Sequence, residues 1–450
     1  EVWARVKARA GGGSIRADRD ATTQRLLQVL EQLCSGGSRS AAHQHPLVLV
    51  AVVNFIGSYA SVWNVCCTAD AIVNLLAYLR QSILESPTAA EPAAASTRLL
   101  YIGCASKLVA LAQTSETGHH SVLMTIKETI DAILKSGNET GTLAVVEGST
   151  RLAVQLNDQT LMTRVLGVIM EPILQGSRHS IEVIRNPSDA HTLSMACQSL
   201  SICLRALKEL IRFCDIPYDP TATENNGQLH PLVDILSALW PILHDVASSQ
   251  TCRQDENVLI QVLAVNEQLI RTVPDMVAPH FSQLMTFVVQ AYEETHLPCT
   301  FDFVAAAVEA FGSKNAEFIQ SFNQLLAHLS RCTYVYVTNE KRPSECPQVI
   351  RALFDMTRIY VLFSPYALVN CSEFSTLFSF AVACVHTECK GERDSTRAAL
   401  IFLSTIIGWR GLRLSQDANA TLEADSEVVH SALAQHGDTI ICTCIVGLSG

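Results

Sequence analysis

The chain has 450 residues, 48% of them hydrophobic and only 17% charged. That balance excludes global disorder, because so much apolar surface can be buried in a packed core. The formal net charge of −11 argues against nucleic acid as the main ligand, since phosphate neutralisation needs a basic surface; it is compatible with a basic protein partner.

Residues 1–20 are basic and Gly-rich, with GGGS at Gly11–Ser14, and read as a loop or frayed segment. The first residues, EVWARVK, lack the apolar core of a signal peptide. The absent initiator Met and the abrupt Leu-Ser-Gly end lead us to expect a segment of a longer protein. From residue 21 to 450 the chain reads as one continuous array of amphipathic helices, interrupted by a Pro- and Asp-rich insertion at 214–229.

Ala21–Cys34 carries Leu26, Leu27, Leu30 and Leu33 on one helical face. Pro46–Tyr59 and Thr68–Leu84 form the first complete pair, and Glu85–Ala95, rich in Pro, Ala and Ser, reads as a linker. The apolar run Pro46–Val62 is broken by Asn54, Ser58 and Ser61 and reads as a buried helix, not a membrane span. Thr97–Gln113 pairs with Ser121–Lys135 across a polar loop at Ser115–His120. Thr142–Leu156 pairs with Gln159–Gln175 through a turn at Asn157-Asp158, and Asp189–Phe213 is a long helix.

Past the insertion, Asn226–Leu243 (NGQLHPLVDILSALWPIL) opens with a turn signal and has Pro231 at the first helical position. Leu232, Ile235, Leu236, Leu239 and Ile242 make its apolar face, and Trp240-Pro241 is expected to kink the helix without destroying it. Asp255–Val273 repeats the pattern with Val258, Leu259, Val262, Val265, Leu269 and Ile270. The remaining predicted helices are Pro279–Tyr292, Phe301–Phe311, Ala316–Tyr336, Pro347–Leu362, Ser372–His386, Arg393–Trp409 and Ala424–Val446. The β-branched run Thr333–Thr338 continues the helical pattern before it.

Two such helices cannot bury both apolar faces alone, so each pair needs a neighbour. Recurrence at roughly 40–50 residues is the period of HEAT-type two-helix repeats. The predicted fold is therefore all-α: a HEAT-repeat, armadillo-like α-solenoid superhelix of antiparallel helix pairs with an extended curved surface in place of one pocket.

Chemistry-bearing patterns are sparse. Sixteen cysteines fall mostly inside apolar helical segments, as do Cys34, Cys104, Cys197, Cys203 and Cys384, where Cys serves as a small core residue in a reducing compartment. Cys384-Val-His386-Thr-Glu388-Cys389 has metal-ligand residue types, but those positions do not converge on one side of a helix. Cys442-Thr-Cys444 is too closely spaced for a redox CxxC and is expected to pack in the last helix; Cys66-Cys67 are expected to be packed, not bonded. His119-His120 read as solvated, and Glu293-Glu294 diverge on a helix end. Asp215, Asp219 and Glu224 in the insertion are loop carboxylates that could touch a basic ligand. Asn138-Glu-Thr, Asn370-Cys-Ser and Asn419-Ala-Thr fit the glycosylation pattern, which is too short to discriminate. No phosphate loop, nucleophile elbow, HExxH or dinucleotide fingerprint occurs, so neither an enzyme, a cofactor nor a metal is expected.

The run through Asn226, Gly227, Gln228, His230, Pro231, Trp240 and Pro241 resembles a segment of the importin-β (karyopherin) superfamily, in its transportin-SR and importin 13 branch. There a similar Asn-Gly-Gln-x-His-Pro stretch leads into a helix ending in Trp-Pro. His45–Trp63, Ser96–Leu108, Val145–Leu156 and Phe354–Ser364 followed by Pro365 are similar, in the same order, to middle and later repeats of that family. The resemblance implies a nuclear transport receptor that binds protein cargo inside the solenoid and exchanges it against the Ran GTPase. It implies passage through the pore on FG-repeat nucleoporins, shuttling between cytoplasm and nucleus, and no direct nucleic-acid or membrane partner. Ran contact would fall mainly on N-terminal repeats outside the matched stretch.

In transportin-SR the helix matching Asp255–Val273 carries an Arg stripe for phosphorylated Arg-Ser-rich cargo. The aligned positions are Asn257, Gln261, Ala264, Glu267 and Arg271, the candidate protein-binding residues. Only Arg271 keeps the charge, and Glu267 would repel phosphoserine. The resemblance therefore points to basic cargo of another kind. The alternative is a generic HEAT-repeat scaffold unconnected to Ran.

Overall fold

The computed structural model describes residues 45–114, 116–214, 216, 230–314, 316–385, 392–413 and 429–442. The expectations for residues 1–44, the turn at Asn226-Gly227, the insertion carboxylates and His386 to Cys389 lie outside these residues. All the regular secondary structure among the described residues is helical, with no strand among them. The helices are α1 Pro46–Ser58, α2 Ala60–Cys66, α3 Ala69–Glu85, α4 Pro87–Gly103, α5 Ala105–Thr114, α6 Glu116–Lys135, α7 Glu139–Val154, α8 Gln159–Arg185 and α9 Ala190–Phe213. After the insertion come α10 Leu232–Ser248, α11 Gln250–Gln254, α12 Glu256–Thr272, α13 Pro274–Val277, α14 Phe281–Thr295, α15 Cys299–Phe311, α16 Ala316–Val335, α17 Pro347–Phe363, α18 Pro365–Val369, α19 Phe374–Ala383 and α20 Arg393–Arg413. Residues 429–442 are helical as well.

The chain divides into two compact units, residues 1–183 with 190–242, and residues 184–189 with 243–450. Inside the first unit α1, α4, α7 and α9 pack one against the next, while α3 packs on α6. Short turns join α3 to α4 and α6 to α7, which makes consecutive helices antiparallel and puts alternate helices in two layers. The second unit repeats the scheme: α12, α15, α17 and α20 form one row, and α11, α14, α16 and α18 the other. This is the all-α array of stacked antiparallel pairs that the periodicity predicts, a HEAT-like α-solenoid arrangement.

The core is made by the apolar faces read from the sequence. Val258, Leu259, Val262, Val265, Leu269 and Ile270 of α12 are all buried. Ion pairs tie neighbouring repeats at the surface: Arg98 to Glu147 (3.0 Å), Lys127 to Glu171 (2.8 Å), Arg80 to Glu128 and Arg205 to Glu139. In the second unit the ties include buried hydrogen bonds. Tyr292 meets Thr333 at 2.6 Å, and Tyr360 donates to the Phe322 carbonyl at 3.2 Å.

Several local readings are corrected. Glu85–Ala95 is not a linker: α4 begins at Pro87 and carries buried Ala89, Ala90, Ala93 and Ala94. The small residues that resemble a flexible joint are here a contact surface, sandwiched between α1 and α7. Backbones approach so closely that a Cβ on Gly57 would lie 2.4 Å from Ser96 Oγ and 2.9 Å from Ser96 Cα. One on Gly148 would lie 2.8 Å from the Arg98 Cα. The helix predicted over Thr97–Gln113 breaks at Cys104, where α4 ends and α5 begins. Glu116–His120 form the first turn of α6, not a loop, and His119 is half-buried there. The helix after His230 starts at Leu232, one residue beyond Pro231, with His230 Nδ1 accepting from the Leu232 amide at 3.1 Å. As expected, Pro241 does not end its helix: α10 runs through it. Cys442 is exposed, not packed.

No single described helix is long and apolar enough to cross a membrane. Among the described residues one pair of consecutive helices, α1 and α2, passes by length and composition together, and it bends by 65° at Tyr59. Trp63 holds the bend by donating its indole N–H to the Ile56 carbonyl at 2.8 Å, with Val53, Ile56 and Trp63 buried. No disulfide joins the thirteen described cysteines, most of which are buried.

Candidate interaction face

The five predicted positions sit on α12, whose start is fixed by Asp255: its carboxylate accepts from the Val258 amide at 3.0 Å. Spacings of three and four residues put Asn257, Gln261, Ala264, Glu267 and Arg271 in one line along the helix. Asn257 and Arg271 are exposed, Ala264 and Glu267 half-buried, and Gln261 is buried at 8% exposure. Four of the five therefore reach solvent, and Gln261 belongs to the packing.

Neither end of this line stands alone. Arg271 pairs with Glu267 on its own helix at 3.0 Å and with Glu309 of α15 at 3.7 Å. One helix further on, Arg351 of α17 pairs with Asp355 at 3.5 Å and reaches Asp394 of α20 at 3.8 Å. Asp302 of α15, exposed, lies near Glu267, Asp355 and Arg351. Desolvation of its carboxyl raises its proton affinity most, the neighbouring Glu267 and Asp355 raise it further, and Arg351 offsets part of this. Five carboxylates (Glu267, Asp302, Glu309, Asp355, Asp394) thus share two guanidiniums, each already bridging two of them. Arg358, a turn beyond Asp355, is half-buried, and its Nε has no acceptor among the described residues.

The stripe is consequently a mixed but acid-rich row crossing four successive helices of one layer. Chemically it offers carboxylate acceptors to cations and offers a phosphate no free guanidinium at the Arg271 end. The family resemblance names only the α12 positions of this row. Asp302, Glu309, Arg351, Asp355 and Asp394 are ordinary surface charges in one dimension, and only the stacking of α15, α17 and α20 on α12 puts them in register. Charges three or four residues apart on α12, α17 and α20, and seven apart on α15, were the available signal.

Of the remaining candidates, Glu293 and Glu294 do diverge, to His328 of α16 at 2.8 Å and to Arg253 of α11 at 2.9 Å respectively. Asn138 is an N-cap, accepting from the Gly141 amide at 2.7 Å. His119 titrates lower than usual because of desolvation first, then Arg164 and His120. Burial pushes the Cys104 thiol up to about 12 and the Cys203 thiol to about 11, as expected of core cysteines.

No protein-family model matches the chain. A curated relative, the uncharacterized protein C11G11.07 of Schizosaccharomyces pombe, is 22% identical over 187 residues, 41% of this chain. The matched stretch spans 19% of that relative's length. Among solved structures, the chain is similar to a circular tandem repeat protein with TM-score 0.47 and 14% identity, covering 90% of this chain and 98% of that one. It is also similar to Kap95p, solved with RanGDP, with TM-score 0.28 and 12% identity over 94% of this chain and 58% of that one.

Proposed function

We propose that the chain is a protein-binding array of the nuclear transport receptor kind, taking a basic protein segment along the row formed by α12, α15, α17 and α20. The acid excess of this row carries the reading: Glu267, Glu309, Asp355 and Asp394 hold Arg271 and Arg351, and Asp302 adds a further exposed carboxylate among them. Asp302 is exposed, and with Glu267 and Asp355 near it and burial on its helix side its carboxyl holds a proton more readily than usual. A ligand ammonium or guanidinium placed there would relieve that repulsion and form a charge-assisted hydrogen bond. Reading the row as a binding surface fits a two-layer repeat array, in which recognition is spread over many helices. The resemblance of the Trp240-Pro241 stretch to karyopherins adds the direction: cargo binding, release by GTP-bound Ran, passage on FG-repeat nucleoporins, and shuttling between cytoplasm and nucleus. On this reading the chain catalyses nothing and holds no cofactor for that purpose.

The test is a pull-down in which the immobilised full-length protein captures protein from an extract, with and without GTP-locked Ran. Basic proteins retained without Ran and released by it support the transport reading. Basic proteins retained equally in both conditions support a Ran-independent HEAT scaffold, and retention of acidic proteins alone removes the proposal.

A further inference from the structure

One cluster of ligand-type side chains lies in the second unit, in the row opposite the acid-rich stripe. His328 and Cys332 are four residues apart on α16, so they sit one above the other on the same helical face. Packing of α14 on α16 brings Glu293 to them. His328 Nε2 lies 2.8 Å from Glu293 Oε1 and 3.5 Å from Cys332 Sγ, and all three ligand atoms lie within 4.8 Å of one another.

Tetrahedral zinc with bonds of about 2.0–2.3 Å to N, O and S needs its ligand atoms roughly 3.2–3.8 Å apart. The observed separations differ from these by rotamer-scale shifts. We propose that Glu293, His328 and Cys332 form a binding site for one divalent cation of the zinc class, clipping α14 to α16. Donor chemistry favours that class: thiolate and imidazole select borderline-soft metals over Mg²⁺ or Ca²⁺. Charge balances as well, because one thiolate and one carboxylate neutralise a dication beside a neutral imidazole.

The neighbouring charges leave the site to the ion. Glu294 is turned to Arg253, and Arg331, next to Cys332, donates to Glu373 at 2.8 Å. Glu293 is exposed while His328 and Cys332 are half-buried, so an ion can enter and water can take the fourth position. Without metal, His328 Nε2–H donates to the Glu293 carboxylate. On binding, Cys332 releases its thiol proton to solvent, the imidazole proton is carried on Nδ1 instead, and Nε2, Sγ and a carboxylate oxygen each give an electron pair to the cation.

The experiment is a Co²⁺ titration of the whole chelator-treated chain, followed by thiolate-to-cobalt absorption and by Zn²⁺ displacement. The expected result is a thiolate band at one equivalent in the wild type that is absent in Cys332→Ser, with Zn²⁺ raising Tm in the wild type and not in that variant. Glu293→Gln, which keeps the size of the side chain and its acceptor for His328, is expected to weaken Co²⁺ binding by at least about tenfold. An unchanged band in Cys332→Ser, or no binding by the wild-type chain, overturns the proposal. So does equal affinity in a Glu293→Gln chain of native helix content, whose glutamine still supports the fold.

Discussion

At the scale of single residues, the packing of α1, α4 and α7 depends on what side chains lack. A methyl on Gly57 meets Ser96 Oγ and Ser96 Cα at once. Gly57→Ala is therefore expected to cost about 1–3 kcal/mol by overpacking, measured by denaturant unfolding. Adding Ser96→Ala should not rescue it, because the backbone of residue 96 would still stand 2.9 Å from the new methyl; full rescue by that double variant would show that only the hydroxyl was in the way. Asp302 gives a prediction with a pH sign. Its folded pKa is raised, so its ionisation disfavours folding, and the stability present below the unfolded pKa is lost as pH rises through the folded one. Asp302→Asn should accordingly raise Tm at pH 7 and leave it nearly unchanged well below the carboxylate range. A Tm gain that persists at low pH would assign the effect to something other than charge.

At the scale of helices, the sequence was legible wherever an apolar stripe ran unbroken. The bounds of α9, α12, α17 and the start of α20 fall within a residue or two of expectation, and Ser364-Pro365 ends α17 as read. It was misleading where composition mimicked a loop. The Pro-Ala-Ser run of α4 lacks large apolar residues because its neighbours are too close to admit them, a tertiary cause that periodicity does not reveal. Likewise Glu116–His120 look polar because that turn of α6 is largely exposed, not because it is irregular. The caps are a testable part of this scale. Asp255 satisfies the Val258 amide at the start of α12, so Asp255→Ala should cost about 1 kcal/mol, read as a lower denaturant midpoint with unchanged slope. An unchanged midpoint would mean that water satisfies that amide equally well.

At the scale of the molecule, each unit stacks antiparallel pairs in two layers, and function is read from how that stacking aligns side chains of separate helices. The candidate line on α12 came from the family resemblance; its spacing does put it on one helix face, with Gln261 the member that packing claims. Its continuation through Asp302, Glu309, Asp355 and Asp394 was not visible in the sequence, because residues some 30–130 positions apart in sequence become neighbours only when successive helices stack in register. The same reason hid Glu293 beside His328 and Cys332. The pairing of Arg271 with both Glu267 and Glu309 adds to the sequence argument against phosphorylated Arg-Ser-rich cargo, since the one retained Arg is already engaged.

The measurement that tests the central claim most directly is calorimetric titration of the chain with a Lys/Arg-rich peptide, alongside the triple variant Asp302→Lys, Glu309→Lys, Asp355→Lys. The account predicts binding by the wild type that weakens with added salt, and a loss of at least about tenfold in affinity in the variant, because like charges then face the ligand. Equal affinity in a variant of native helix content would contradict it and move the basic ligand, and with it the proposed function of this row, to another surface.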